Sequence, residues 1–119
     1  MSETATPSAN HIVVLTTAGN EDDGLRLARE LVGRRLAGCV NLVGPCRSVY
    51  RWKGEIQEEQ EWQLVIKTTR EQFDRLGQAL RELSRYELPE ILALPIERGD
   101  ETYLNWLTAS SSDLPGELP

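Results

Sequence analysis

Hydrophobic and polar positions alternate or recur along most of this chain, and the period changes several times. His11 to Thr17 carries a short apolar, β-branched run (Ile12-Val13-Val14-Leu15-Thr16-Thr17), which predicts a buried strand. Asn20 then offers an N-cap, with Glu21, Asp22 and Asp23 in the first turn where the helix dipole favours acids. Leu25, Ala28, Val32 and Leu36 recur on one helical face, widened by Leu27 and Leu31. Arg34 and Arg35 fall in the expected last turn, and Gly38 is the expected stop. From Gly38 to Thr69 the period drops to two. Cys39 to Trp52 leads into a tight turn at Lys53-Gly54, and Glu55 to Thr69 leads out. Thr69 with Gln72 predicts a capping box. The following helix sets Phe73, Leu76, Leu80 and Leu83 on one face and ends near Ser84. Tyr86-Glu87-Leu88-Pro89-Glu90 reads as a turn into a last core strand, Ile91 to Ile96. Gly99-Asp100 starts a short helix with Tyr103, Leu104 and Leu107.

The order is β-α-β-β-α-β plus a terminal helix, the split βαβ or ferredoxin-like arrangement. This is an α+β fold with two helices on one face of an antiparallel sheet. Its unusual part is the hairpin. Each arm approaches about 15 residues, or roughly 50 Å at ~3.3 Å per residue. A compact domain of this length is roughly 35 Å across. The ribbon is expected to overhang its own globule and to be completed by other copies of the chain. Gly44-Pro45 predicts a bulge or bend within the first arm, because proline donates nothing to a ladder.

Composition narrows the partners. The 119 residues carry a net charge of −6, with 39% hydrophobic and 27% charged residues. That describes one soluble domain. The acidic balance argues against nucleic acid and against anionic lipid. No apolar run reaches the ~20 residues of a membrane span. The first ten residues lack the basic and apolar regions of a signal peptide. Residues 1–10 and 110–119 are read as flexible tails around a domain at 11–109, and the cytosol is the expected compartment. Cys39 and Cys46 lie on the same extended arm, too far apart to bond to each other. A single histidine, His11, rules out a Cys/His zinc cluster within one chain, and His11 itself reads as a strand-edge residue.

The candidate chemistry lies on and beside the hairpin. Trp52 and Trp62 flank the turn as a wall for a ligand or a packed interface. The acids Glu55, Glu58, Glu59 and Glu61 read chiefly as a solvated ribbon face, with hard-cation binding as the alternative. Lys67 sits near the end of a core strand, where it either pairs with Glu61 or Glu90 or binds an anionic group. Cys39 and Asn41 lie on the partner arm, and no nearby base makes Cys39 a nucleophile. Tyr86, Glu87, Pro89 and Glu90 form the sharpest cluster outside the hairpin.

Six stretches carry a family resemblance. They are Val13-Val14-Leu15-Thr16-Thr17-Ala18, Leu36-Ala37-Gly38-Cys39-Val40-Asn41, Tyr50-Arg51-Trp52-Lys53-Gly54-Glu55-Ile56, Ile66-Lys67-Thr68-Thr69, Tyr86-Glu87-Leu88-Pro89-Glu90 and Tyr103-Leu104-Asn105-Trp106-Leu107. In this order, across residues 11–109, they resemble the CutA family of divalent-cation tolerance proteins. The resemblance implies a stable homotrimer built by the long hairpins, related in architecture to the PII signalling proteins. It also implies a metal site made of a cysteine in the first strand, a histidine before the turn and the glutamate of the turn. This chain has Thr16 and Ser84 at the first two positions, and only Glu90 remains, a poor set for a soft or borderline metal.

The sequence thus predicts a non-enzymatic trimer without a resident cofactor, beyond weak binding of a divalent cation at Glu90. Its ligand is a small molecule or ion held in intersubunit clefts by Cys39, Tyr50, Trp52, Glu61, Lys67, Tyr86 and Glu90. Carrier or signalling work, with a further protein as target, is the leading role, and divalent metal binding and cation tolerance is the alternative. An acylphosphatase-like enzyme and an RNA-recognition domain share the topology. The first lacks a phosphate loop and a nucleophile–base pair, and the second lacks basic charge and its aromatic pattern.

Overall fold

The structure, a computed structural model, describes residues 10–113. The elements follow the predicted order. They are β1 (His11–Ala18), α1 (Glu21–Gly33), β2 (Cys39–Trp52), β3 (Glu55–Thr69), a 3-10 turn at Arg70–Gln72, α2 (Phe73–Leu83), β4 (Leu92–Pro95) and α3 (Glu101–Ser110). The four strands form one antiparallel sheet in the order β2-β3-β1-β4. This is the ferredoxin-like arrangement.

Alternation assigns the two faces of the sheet. Ile12, Val14 and Ala18 of β1 and Leu64 and Ile66 of β3 face α1 and α2, where Leu27, Leu31, Leu76 and Leu80 complete the core. The opposite face carries Val13, Leu15, Val65 and Lys67, all half-buried. His11 also belongs to this second face by register. It is the first residue of β1, and it is buried. Its Nε2 donates to the Leu104 carbonyl at 3.2 Å and lies 2.8 Å from the Thr108 hydroxyl, so α3 docks across that end of the face.

Several local expectations change. The buried face of α1 centres on Asp23, Gly24, Leu27 and Leu31, while Val32 is 43% exposed. The helix stops at Gly33, and Arg35 takes φ 61° to turn the chain, four residues before β2. In that turn the Arg35 guanidinium donates to the carbonyls of Ala109 and Ser112 at 2.6 Å each, which tethers the end of α3. Thr69 makes no capping hydrogen bond; it ends β3 and leads into the 3-10 turn. β4 has only four residues, all exposed on one chain, because it is the outer strand of the sheet. Ser110 closes α3, and Asp113 is hydrogen-bonded by Arg75 and Gln72. Residues 1–9 and 114–119, where most of both predicted tails falls, lie outside the described residues.

The ribbon is as long as predicted. β2 has 14 residues and β3 has 15. Extents of 50 × 30 × 22 Å and a radius of gyration of 15.4 Å exceed the roughly 13.5 Å of a compact chain this size. The register shifts between Val43 and Cys46, so Gly44-Pro45 is a bulge, while β3 runs past it unbroken. A Cβ on Gly44 would lie 2.7 Å from the Trp62 ring, so only glycine lets the bulge close over this tryptophan. Lys53 at φ 52° and Gly54 at φ 83° make the two-residue turn, a pair of left-handed residues that matches the strand twist.

Candidate functional site

Beyond the bulge, register brings Cys46, Ser48, Tyr50 and Trp52 of β2 onto the same face as Glu61 of β3. Between the bulge and the turn this face meets the segment 85–90 that follows α2. Between them lies a cleft of roughly 540 Å³, within the usual range for small-ligand sites. Tyr50, Trp52 and Tyr86 supply aromatic walls, Glu61, Glu87 and Glu90 supply carboxylates, and Arg85 supplies one guanidinium.

Glu61 is the centre of this site. Its side chain is buried, at 8% exposure, and one carboxylate oxygen accepts a 2.6 Å hydrogen bond from the Tyr86 hydroxyl. No cation of the described residues forms an ion pair with it. Burying a carboxylate without a countercharge is costly. The neighbouring phenols report the resulting negative field. Burial, the hydrogen bond given to Glu61 and the charges of Glu61 and Glu59 push the Tyr86 hydroxyl far above the usual tyrosine range. Tyr50 is also raised, by desolvation first and then by Glu59 and Glu61. Both phenols therefore remain hydrogen-bond donors at neutral pH.

An ion cluster around the buried Asp23 fixes the segment that carries Tyr86. Asp23, in the first turn of α1, accepts from Arg26 Nη2 at 2.7 Å and from Arg85 Nε at 2.9 Å. Arg26 also donates to the Leu83 carbonyl at 2.8 Å, tying α1 to the end of α2. Burial pushes the Asp23 carboxyl up, but the hydrogen bonds from Arg26 and Arg85 outweigh it and hold the group below the ordinary carboxylate range. The Asn20 side chain accepts from the Asp23 backbone N–H at 2.8 Å, as the predicted cap requires.

The seven predicted ligand residues divide into two groups. Tyr50, Trp52, Glu61, Tyr86 and Glu90 line the cleft together. Cys39 and Lys67 do not. They oppose each other across β2 and β3, where Lys67 donates to Asn41 and pairs with neither Glu61 nor Glu90. Six residues of strand separate Lys67 from Glu61, or about 20 Å. Arg85 and its anchor Asp23 escaped the sequence reading. Asp23 looked like an ordinary first-turn acid, and only the long-range fold places it beside Arg85. The acidic ribbon residues behave largely as expected: Glu58 reaches Arg47 at 3.6 Å between exposed side chains.

The donor set does not suit a dedicated transition-metal site within one chain. Thr16 is buried on the helix-facing side of β1, away from the cleft. The Ser84 hydroxyl accepts from the Tyr86 N–H at 3.1 Å. Among the described residues no cluster of three or more histidine, cysteine or acidic side chains is placed to share a metal ion. What remains at the cleft are oxygen donors, which match hard cations held loosely.

Comparison with known proteins assigns the family. The profile described as CutA1 divalent ion tolerance protein matches residues 12–110. A divalent-cation tolerance protein CutA from Thermus thermophilus is 46% identical over 95 residues, covering 80% of this chain and 92% of the relative. Protein CutA 1, chloroplastic, from Oryza sativa is 38% identical over 93% of this chain, which spans 63% of that longer protein. Among solved structures, the T. thermophilus divalent cation tolerance protein superposes with a TM-score of 0.83 at 43% identity, covering 86% of this chain and 99% of the other. CutA1 from O. sativa gives 0.85 at 38% identity, with 90% and 98% covered. The bulged ribbon, the ferredoxin-like sheet and these matches together show that the chain belongs to the CutA family of divalent-cation tolerance proteins.

Proposed function

We propose that this protein works in divalent-cation tolerance as a homotrimer, and that each cleft beside the ribbon, shared between subunits, binds a small cation. One observation carries the binding site: the buried Glu61 carboxylate, held by Tyr86 in a cleft whose lining acids outnumber its single arginine. The trimer rests on the overhanging ribbon and on the exposed Val43, Val49, Ile56, Leu92 and Leu94, which a neighbouring copy would cover. The role is binding, not catalysis: Tyr86 is pinned as a hydrogen-bond donor to Glu61. A cytosolic location is part of the proposal. It is supported by two unpaired thiols, Cys39 and Cys46, although some relatives are named as chloroplastic.

The oxygen donors predict weak binding of hard divalent ions and no tight copper site. Titration calorimetry with Mn²⁺, Zn²⁺ and Cu²⁺ tests this. Binding that Glu61→Gln weakens at least tenfold supports the reading. A tight, stoichiometric copper site indifferent to Glu61→Gln and Glu90→Gln would remove the cleft from the function.

A further inference from the structure

Two opposite charges of this chain each lack a countercharge, and they point the same way. Glu61 is buried and accepts from the Tyr86 hydroxyl alone. Lys67 is half-buried and donates to the neutral side chain of Asn41. Among the described residues neither forms an ion pair. Alternation along β3 puts Glu61, Gln63, Val65 and Lys67 on one face of the sheet, the face turned away from α1 and α2. Six residues of strand, about 20 Å, hold the two charges apart, too far for their side chains to meet within one chain.

That face is also the one a second copy must cover. α3 closes only its His11 end. Val13, Leu15 and Val65 are half-buried there, and register adds Leu92 and Leu94 of β4, 55% and 47% exposed. Covering the face without compensating Lys67 would bury an unpaired ammonium, a cost of the kind Glu61 already carries. A closed ring of three joins two different patches at each interface, so the Lys67 end of one subunit meets a different surface of the next. From this complementarity we infer that Lys67 of the partner subunit enters the cleft and pairs with Glu61. The ion pair exists only in the assembled protein, and the cleft is incomplete on a single chain. A divalent ion must then displace this ammonium from the carboxylate, which keeps its binding weak and couples it to assembly.

The inference rests on the reading of a cation cleft shared within a trimer, and its test separates the two. Substitutions farther apart than about 7–10 Å normally add in their effects on stability, so coupling between these two positions reports contact across subunits. Guanidinium unfolding of the full-length protein is compared for wild type, Glu61→Gln, Lys67→Gln and the double variant, and each is titrated calorimetrically with Mn²⁺. Each single substitution leaves the other charge buried alone and should weaken the trimer at least tenfold. The double variant removes both charges and should fall short of the product of the single effects by about tenfold or more. Lys67→Arg keeps the charge and should retain most of the stability. Lys67→Gln should also bind Mn²⁺ at Glu61 about two- to tenfold more tightly, a gain that a lysine serving only to fill space would not give. If Lys67→Gln alone does not assemble, trimers recovered in the double variant support the pair, and none recovered contradict it. Additive substitutions, or manganese binding not tightened by Lys67→Gln, would overturn the inference. Manganese binding that still depends on Glu61 would then leave the cation site standing. A stable monomer would sink both.

Discussion

At the scale of single residues, two buried acids organise the site by opposite means. Asp23 is compensated by two guanidinium groups, whereas Glu61 has only a phenol. Asp23→Asn should destabilise the fold by about 1–3 kcal/mol, less than a fully buried pair because Arg85 is largely exposed. Its pH signature follows from the depressed carboxyl. The stabilisation is complete above the unfolded value near 3.8 and is lost as pH falls through the lower folded value. Acid denaturation followed by circular dichroism should therefore show a shallower pH dependence below about pH 4 in Asp23→Asn than in the wild type. Tyr86 has the reverse sign. Its raised folded value contributes stability present below the ordinary tyrosine value of 10.0 and lost as pH rises through the folded one. Glu61→Gln should bring this tyrosine down toward that ordinary value in an ultraviolet titration; an unchanged titration would mean that the Glu61 bond is not what raises it. Glu61, Tyr86 and Glu90 were legible in the sequence because acids and aromatics flank a turn and a ribbon. Asp23 and Arg85 were not. Their partnership spans 62 positions and depends on how α1 packs against the end of α2.

At the scale of elements, periodicity located every strand and helix, and the errors fell at ends and edges. Thr69-to-Gln72 has the residues of a capping box, yet the chain leaves β3 through a 3-10 turn, and Thr69 is spent on the strand pair with His11. Ile91 to Ile96 is apolar enough for a core strand, but its place at the sheet edge leaves β4 open on the single chain. Apolar content reports that a segment is to be covered and does not say by what. Two glycines of the ribbon make separable predictions. Gly54→Ala meets no neighbour within 4 Å, so its cost is that of a left-handed alanine, about 1–2 kcal/mol. Gly44→Ala instead drives a methyl into the Trp62 ring, and overpacking of this kind costs about 1–3 kcal/mol. Thermal unfolding of both variants checks the magnitudes. The indole fluorescence should change in Gly44→Ala and not in Gly54→Ala.

At the scale of the whole molecule, the ribbon joins fold to function. The part beyond the bulge leaves Val49 and Ile56 exposed and also forms one wall of the cleft, through Ser48, Tyr50, Trp52 and Glu61. The same strands that demand a neighbour therefore also position Tyr50, Trp52 and Glu61. Cys39 and Lys67 lie outside the cleft of their own chain, and assembly decides what faces them. The family fold was readable from the order of elements and the length of the hairpin, because both are local patterns. The identity of the ligand was not, because it depends on side chains converging from four separate segments: Thr17 of β1, Ser48 to Trp52 of β2, Glu61 of β3 and Arg85 to Glu90. Everything proposed about shared clefts depends on copies of this chain completing one another. Multi-angle light scattering on the chromatographed protein at micromolar concentration tests that claim most directly. The account predicts a single species with three times the mass of one chain; a stable monomer would contradict it.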